Sequence, residues 1–456
     1  MTTNVPPGML STMHADGSRN ILHPKLAHGR FLRRRQVVAY GLIILFALLP
    51  RIRIAGRPAL LIDLAARELS AFGTVFRPSD GFLLALLGVA IVAAVFFVTA
   101  LFGRVWCGWG CPQSVYLEHV YRPIERLIEG GRGRNASRWR RVAKLVVFAA
   151  ISFGIANVFL AYFVGSDQLE SWVTESPLVH PAGFSLVVGV AALMMFDFGW
   201  FREQMCIVTC PYGRLQSVLL DRQSLIVGYD AARGEPRAKL KKKLPIVSGG
   251  DCIDCSACVT VCPTGIDIRD GLQMECLGCA QCIDACDSVM TKVHRKPGLI
   301  RYTSQDELSG KPRKLLRVRT VVYPALLAFA ALWLGTSIAH RSGTEVWVER
   351  NAGTSFTELP DGRIASLVRI KIENESDEVR TYKLELVSAP AGAQLRSTLP
   401  EWQAQPRSSI DVPLFVDVAR SGFVHGEARV RVAVRDGAAH VKVVNATLFG
   451  PESGTR

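Results

Sequence analysis

Cys252-Ile-Asp-Cys255-Ser-Ala-Cys258-Val-Thr-Val-Cys262-Pro263 and, a little further on, Cys276-Leu-Gly-Cys279-Ala-Gln-Cys282-Ile-Asp-Ala-Cys286 are two copies of one spacing, CxxCxxCxxxC. Three thiolates this close can occupy three corners of an iron–sulfur cubane, and the fourth cysteine of such a run reaches across to the other cluster in two-cluster folds. The expected ligand sets are therefore Cys252, Cys255, Cys258 and Cys286 for one [4Fe–4S] cluster, and Cys262, Cys276, Cys279 and Cys282 for the other. Structural zinc needs only CxxC pairs, so the regular third and fourth cysteines and Pro263 argue against it. Small residues beside the ligands, Ser256, Ala257, Gly278 and Ala280, let backbone amides approach the sulfurs. The second run closes on Asp287 instead of proline.

Around this block the chain has the composition of a membrane protein. It has 456 residues, 49% of them hydrophobic, and a mean hydropathy of +0.23, which argues against disorder and against a purely soluble enzyme. The net charge of +15 suits the anionic cytoplasmic face of a membrane; nucleic-acid binding would need a groove-reading or stacked aromatic motif, and none is present. Five stretches have the length and apolarity to cross a hydrocarbon core, which needs roughly 20 helical residues. They are Gln36 to Ile54, Phe82 to Gly103, Val142 to Gly165, Phe184 to Phe201 and Val321 to Ala339. The first is interrupted by Pro50, Arg51 and Arg53, and the fourth carries Asp197.

Basic flanks orient these spans, because cytoplasmic loops accumulate Lys and Arg. Arg33, Arg34 and Arg35 place the N-terminus inside, and eight Arg between Arg104 and Arg141 place that loop inside as well. The loop Ser166 to Gly183 has no Lys or Arg but contains Asp167, Glu170 and Glu175, as an outer loop should. Lys311, Arg313, Lys314, Arg317 and Arg319 before the last span send the C-terminal residues outside. One loop dissents: Arg51 to Gly81 carries five Arg yet falls outside, and Leu60 to Phe72 reads there as an amphipathic interfacial helix. No apolar core of a cleavable signal precedes Arg35. All twelve cysteines fall at or beyond cytoplasmic span ends, the compartment where thiolate ligands survive.

The expected organisation is a multi-domain membrane protein. An N-terminal arm spans 1–35, four helices span 36–201, a cytoplasmic ferredoxin-like domain spans 202–320, a fifth helix spans 321–339, and an exported tail spans 340–456. The arm, including Thr2 to Leu26, carries no motif, and a basic linker, Arg233 to Lys243, followed by Gly249 and Gly250, leads into the cysteine block. In the tail, Val368-Arg-Ile-Lys-Ile372, Tyr382-Lys-Leu-Glu-Leu386, Leu414-Phe-Val-Asp-Val418 and Ala428-Arg-Val-Arg-Val-Ala-Val434 alternate with period two, the pattern of an immunoglobulin-type β-sandwich. It has no catalytic constellation and reads as a docking module.

Four further cysteines form a second pattern. Phe102-x4-Cys107-x3-Cys111-Pro112 is repeated as Phe201-x4-Cys206-x3-Cys210-Pro211, each at the inner end of an even-numbered span, with Gln113-Ser-Val115 and Gln216-Ser-Val218 behind them. This points to a duplicated two-span unit. Cysteines four apart share a helix face, and two such faces at one depth offer four thiolates to a soft metal such as Cu(I) or to a further cluster. A redox-active dithiol or buried packing thiols are the alternatives. Met205 and His119 are candidate extra ligands, while His180 and His294 read as ordinary histidines. Downstream, Leu117, Val120, Ile124, Leu127 and Ile128 form one stripe flanked by Arg122 and Arg126, an amphipathic helix for the inner membrane surface.

Together, the five spans, the paired CxxxCP motifs, the double cluster block and the β tail resemble the FixG, RdxA and CcoG family of cbb3-type cytochrome c oxidase accessory proteins. The most specific element is Trp106-Cys-Gly-Trp-Gly-Cys-Pro112 placed after a span. The resemblance covers nearly the whole chain. It implies a bacterial inner-membrane electron-transfer protein, a cupric reductase that turns Cu(II) into Cu(I) on the cytoplasmic side and supports oxidase assembly. Its partners would be membrane lipid, copper ion, oxidase assembly factors or a copper chaperone, and a cytoplasmic electron donor that the sequence does not name. The chain also resembles the NapH and NosR type of membrane ferredoxin, which implies a quinol-linked conduit; a non-redox assembly scaffold is the third reading.

Overall fold

Long apolar runs and short cysteine loops alternate in the first two thirds of the chain, and the computed structural model follows that alternation. α1 (Arg30–Leu48) leads into five short strands, β1 (Arg53–Ile54), β2 (Arg57–Pro58), β3 (Leu60–Asp63), β4 (Glu68–Ala71) and β5 (Thr74–Phe76), and then α2 (Gly81–Phe102). The short α3 (Val105–Trp109) and α4 (Pro112–Tyr116) follow, with a π-helical turn at Leu117–Tyr121 and α5 (Arg122–Glu129). Next come α6 (Arg138–Val164), α7 (Ser166–Thr174) and α8 (Pro181–Phe196), the last prolonged by a π-helical turn at Asp197–Phe201. A further π-helical turn at Met205–Thr209 precedes α9 (Pro211–Leu219). The cysteine block contains β6 (Ile226–Tyr229), α10 (Ala231–Gly234), α11 (Ala257–Thr260), α12 (Gln281–Lys292), β7 (Ile300–Thr303) and α13 (Gln305–Leu308), and α14 (Val318–Ala339) closes this part.

The structure describes residues 12–13, 16, 18–54, 56–77, 80–130, 136–239, 250–312, 314, 316–339, 343–349, 356–374, 376, 378–436 and 440–451. The start of the arm including Thr2, the end of the basic linker, Gly249, Arg313 and His340 lie outside them. The chain divides into two compact units, Met1–Leu334 and Gly335–Arg456.

Among the described residues four helices are long and apolar enough to cross a membrane: Gly81–Phe102, Arg138–Val164, Pro181–Phe201 and Val318–Ala339, with mean hydropathies of 2.8, 2.2, 1.8 and 1.8. This corrects the sequence expectation of five. The helix containing the first expected span starts at Arg30, so Arg33, Arg34 and Arg35 lie inside it, and it stops at Leu48 before Pro50. Its apolar part, from Gln36 to Leu48, reaches only about 20 Å at a rise of about 1.5 Å per residue. Arg35 is fully buried, its Nε donating to Gly108 O at 2.9 Å.

The membrane helices pack in two groups. α6 and α8 meet through Ala156, Leu160, Val187 and Ala191, small and aliphatic residues that let helix backbones approach. α1 joins them at its far end, where Phe46 stacks on Tyr162 at 5.3 Å and Tyr162 OH donates to Phe46 O. α2 meets α14 through Phe96 with Tyr323 and Phe82 with Trp333. Leu193 and Leu332 are about two-thirds exposed, the outward apolar faces of helices made for lipid.

The expected interfacial helix at Leu60 to Phe72 is instead the antiparallel sheet β3-β4-β5. Asp63 Oδ1 accepts from Ala66 N, and Arg67 adopts φ 55°, so the chain turns where a helix would have had to continue. Of the five dissenting arginines, Arg53 pairs with Asp167, Arg51 with Glu170 at 3.7 Å and Arg77 with Glu68 at 3.0 Å.

The cysteine block folds around Val227, Ile268, Ile283, Leu299 and Ile300, with β6 antiparallel to β7. It is bolted to α1. Asp284 on α12, buried, accepts from the first-turn amides Phe31 N at 3.2 Å and Leu32 N at 2.8 Å. A carboxylate here satisfies orphan N–H groups and meets the positive end of the helix dipole.

The second unit is an all-antiparallel β structure. Its strands are β8 (Thr344–Glu349), β9 (Phe356–Glu358), β10 (Arg363–Asn374), β11 (Arg380–Ser388), β12 (Gln394–Ser397), β13 (Trp402–Ala404), β14 (Ser409–Ala419), β15 (Glu427–Asp436) and β16 (His440–Phe449). One sheet runs β12-β14-β10-β8 with β9 also on β10, and the other runs β13-β11-β15-β16. Alternate residues of both, Ile370, Ile372, Val412, Leu414 and Val416 from one and Tyr382, Val430, Val432 and Leu448 from the other, form one buried core, as an Ig-like sandwich requires.

Candidate metal centres

The two cysteine runs have the same backbone. In each, the residue two after the first cysteine and the residue just after the second are left-handed: Asp254 (φ 47°) and Ser256 (φ 54°), then Gly278 (φ 67°) and Ala280 (φ 61°). Ser256 and Ala280 stand directly before the helices α11 and α12. Alternating handedness curls each loop into a concavity lined by amides, the nest that iron–sulfur groups occupy. The residues present therefore fit such a group.

The thiols sort into neighbourhoods. Burial raises the Cys286 pKa to about 12, with Asp287, Cys255 and Cys252 adding to it. Burial likewise lifts Cys258 to about 12, against Arg269, with Asp267, Cys286 and Cys255 adding. Cys276 is pushed up to about 12 by burial, with Cys262 and Cys279 nearby, and Cys282 well above the usual range, with Cys279, Cys276, Cys262 and Cys258 around it. Cys258, Cys262, Cys276, Cys279 and Cys282 line one pocket walled by Val227, Ile266 and Ile268. Thiols this reluctant to ionise by themselves become thiolates when a metal replaces the proton.

The CxxxCP motifs are also structural copies. Phe102 is followed by Gly103 at φ 56°, ψ −128°, and Phe201 by Arg202 at φ 50°, ψ −124°. Cys111 and Cys210 both stand in extended backbone immediately before a helix whose first residue is proline, α4 and α9. Proline costs nothing there, since the first helical N–H has no partner to lose. The copies meet: burial raises the Cys206 pKa, and Cys111, Cys107 and Cys210 add to it. Cys107 is raised to about 11 by burial, opposed by the Arg104 guanidinium beside it, and its Sγ donates to Gln216 Oε1 at 3.0 Å. Among the described residues no three His, Cys, Asp or Glu side chains are gathered as a metal cage, either at these four thiols or at the two cysteine runs.

Comparison with known proteins agrees with this architecture. A family of 4Fe-4S dicluster domains matches residues 201–305, a 4Fe-4S binding domain matches 84–133, and the Ig-like fold at the C-terminus of FixG matches 334–451. The nitrogen fixation protein FixG of Rhizobium meliloti is 32% identical over 94% of this chain and 93% of its own length. RdxA of Cereibacter sphaeroides is 34% identical over 78% of this chain and 77% of its own, and RdxB of the same organism 31% over 97% and 98%. The chain belongs to the FixG/RdxA/RdxB family.

In this FixG-type chain the first CxxxCP pair lies inside the 84–133 match, so iron–sulfur binding is supported for both cysteine-rich regions. His119 is not with the thiols: it packs edge-on against Tyr40, and burial and Arg35 lower its pKa to about 4, so it is a neutral core histidine. His180 stacks on Trp172 at 4.4 Å and faces Glu175. Met205 is beside Cys206 and partly exposed. The stripe after Cys111 packs inward through Leu117, Val120 and Ile124 onto Phe148 and Phe198, while Leu127 is exposed. Arg122, expected on the helix flank, is buried between Glu118 and Glu203. Sequence reasoning missed Arg104, which is buried with Nε and Nη1 unpartnered and offsets part of the rise that burial imposes on the Cys276 thiol, and it missed Arg35, which does the same for Cys279. The available signal was the pair of glycines around Trp109 in the first motif, a sign of close approach.

Proposed function

We propose that this FixG-type protein is a membrane cupric reductase. It would take single electrons from a cytoplasmic donor and pass them to Cu(II) held by Cys107, Cys111, Cys206 and Cys210, releasing Cu(I) to a copper chaperone or assembly factor of a cbb3-type oxidase. When bound, each [4Fe–4S] cluster supplies a one-electron store, held by Cys252, Cys255, Cys258 and Cys286 or by Cys262, Cys276, Cys279 and Cys282. Soft thiolates prefer Cu(I) to Cu(II), which favours the reduction. The observation that carries this reading is the meeting of the two CxxxCP copies beside Arg104: Cys107 Sγ donates to Gln216 Oε1 at 3.0 Å, and a Cβ on Gly213 would stand 3.0 Å from Cys206 O, 3.3 Å from Arg104 Nη2 and 4.0 Å from Cys210 Cβ. The Arg104 cation assists the Cys107 thiol to ionise as copper arrives.

The cysteine block would face the cytoplasm of a bacterial inner membrane, since Arg138, Arg140, Arg141 and Lys144 begin α6 at that level and Lys144 bonds Glu125 and Glu129. The arm shares that face, with Lys25 N bonded to Thr260 O, and the chain past α14 is then periplasmic. This path needs α1 to carry the chain across beside α6 despite its short apolar part.

Changing Cys107 and Cys206 together to Ser should leave iron content and cluster absorbance intact while abolishing anaerobic Cu(II) reduction. Reduction at the parent rate would end the copper assignment, and loss of roughly a third of the iron would assign the pairs to a further cluster.

A further inference from the structure

The loop of the first CxxxCP motif and the loop of the second cysteine run are interlocked. A Cβ on Gly108 would stand 2.8 Å from both Cys279 Cα and Cys279 N and 2.8 Å from Leu277 O, so only a glycine allows the contact. The reverse side has the same design. Gly278, at φ +67°, turns its α-carbon face to the backbone of Arg104, where a Cβ would meet Arg104 O at 3.2 Å. A hydrogen-bonded chain ties the loops together: Trp109 Nε1 donates to Tyr302 OH at 2.9 Å, and Tyr302 OH donates to Gly278 O at 2.6 Å. Arg35 Nε holds the other edge through Gly108 O. Trp109, Gly108 and Cys107 are consecutive, as are Gly278 and Cys279, so each clamp residue adjoins a ligand candidate or lies next to one that does.

The order of the sites follows. Cys255 is the one exposed cysteine of the twelve. Cys258 of its set lines one pocket with Cys262, Cys276, Cys279 and Cys282 of the second set, and the second set touches the CxxxCP site through Cys279 and Gly108.

We propose that this interlock is the electron-transfer junction of the protein, with Gly108, Gly278, Trp109 and Tyr302 as positioning residues that fix the gap between metal on the Cys262, Cys276, Cys279 and Cys282 set and Cu(II) on the CxxxCP thiols. Electrons enter at the exposed Cys255 side and leave past Cys279. The inference rests on the copper reading above. One electron crosses per ion: Cu(II) becomes Cu(I), iron of the donor set is oxidised by one electron, and no bond forms or breaks. The electrons originate in a low-potential one-electron reductant, for which dithionite stands in the test.

The test uses the full-length, iron-loaded protein in detergent. Gly108→Ala pushes the loops apart, and the wider gap for the electron should slow single-turnover Cu(II) reduction several-fold. Iron content, cluster midpoint potentials and the copper KM should stay at parent values. Tyr302→Phe and Trp109→Phe cut the same chain, so each should slow the reaction by a like, smaller factor and the double variant no further. Should Gly108→Ala lose iron, this non-additivity decides. A second readout needs no turnover: Co(II), a redox-inert paramagnet that accepts thiolates, should broaden the paramagnetic resonance of the reduced clusters in the parent and less so in Gly108→Ala. Parent rates in all three variants, or additive losses in the double variant, would overturn the junction, as would a cluster signal indifferent to Co(II). A parent protein that fails to reduce Cu(II) yet shows the Co(II) effect would overturn the copper reading and leave the junction standing.

Discussion

Asp284→Ala should unfasten the cysteine block from α1. The carboxylate lies between Cys282 and Cys286 in sequence, is 4% exposed, and accepts Phe31 N at 3.2 Å and Leu32 N at 2.8 Å. Without it, two first-turn amides lose their partner in a site closed to water. A helix-capping side chain contributes about 1 kcal/mol, and hydrogen bonds to a charged group about 1.5 to 3. A loss of about 2 kcal/mol is thus expected, which multiplies the open population of the dock by a factor of about 30. Gly29 packs so tightly here that a Cβ on it would stand 2.3 Å from Asp284 Cγ. Hydrogen exchange followed by mass spectrometry on peptides covering Gly29 to Arg35 reads the change directly. Protection there should fall about 30-fold in Asp284→Ala and by less in Asp284→Asn, which keeps one acceptor oxygen. The β-sandwich peptides serve as the unchanged control. Undiminished protection in Asp284→Ala would refute the docking argument.

Iron content offers the next check: Cys258→Ser and Cys279→Ser should each drop the chain from about eight iron to about four or fewer, and stoichiometric zinc in the parent would contradict both ligand sets. Glu125 gives a pH signature. Burial alone would raise its pKa, but Arg202 and Lys144 outweigh it and hold the carboxyl at about 2. A depressed carboxylate contributes stability that is present above its ordinary value and lost as pH falls toward 2, here about 3 kcal/mol. Thermal scans should therefore show Glu125→Gln less stable at pH 7 and less sensitive to acid between pH 4.5 and 2; an unchanged acid slope would refute the pairing. Arg104→Met should lower the midpoint potential of the second cluster, since a buried cation favours the more negative reduced state, and Arg104→Lys should restore it. Equal potentials in all three would show that Arg104 is only a packing residue.

What could be read from sequence was whatever is encoded locally. The CxxCxxCxxxC spacing defines its own loop, and α2, α6, α8 and α14 announce themselves by apolar length. α1 hides from a local reading because Arg33, Arg34 and Arg35 look like a flank, whereas the structure winds them into the helix and buries Arg35 against Gly108. Leu60 to Phe72 fits a helical stripe and a strand pair equally well, and Asp63, Arg67 and Gly73 decide for the turn-rich sheet. The duplication was visible as Cys-x3-Cys-Pro, yet its backbone basis, matched left-handed residues at Gly103 and Arg202, was hidden because one of the two is an arginine. The contact of Gly108 with Cys279 and the chain Trp109, Tyr302, Gly278 join segments far apart in sequence, and no local pattern predicts which loops will meet.

The central claim, electrons stored at the eight ferredoxin cysteines and delivered to copper at the other four, meets its most direct test in one anaerobic stopped-flow experiment. Dithionite-reduced protein, freed of excess reductant, is mixed with Cu(II) and a Cu(I)-selective chromogenic chelator, and cluster absorbance is followed together with the Cu(I) complex. The account predicts that the clusters re-oxidise as Cu(I) appears, with one shared rate and about two Cu(I) per chain, one electron from each cluster. Re-oxidation without Cu(I), or Cu(I) formed while the clusters stay reduced, would contradict it.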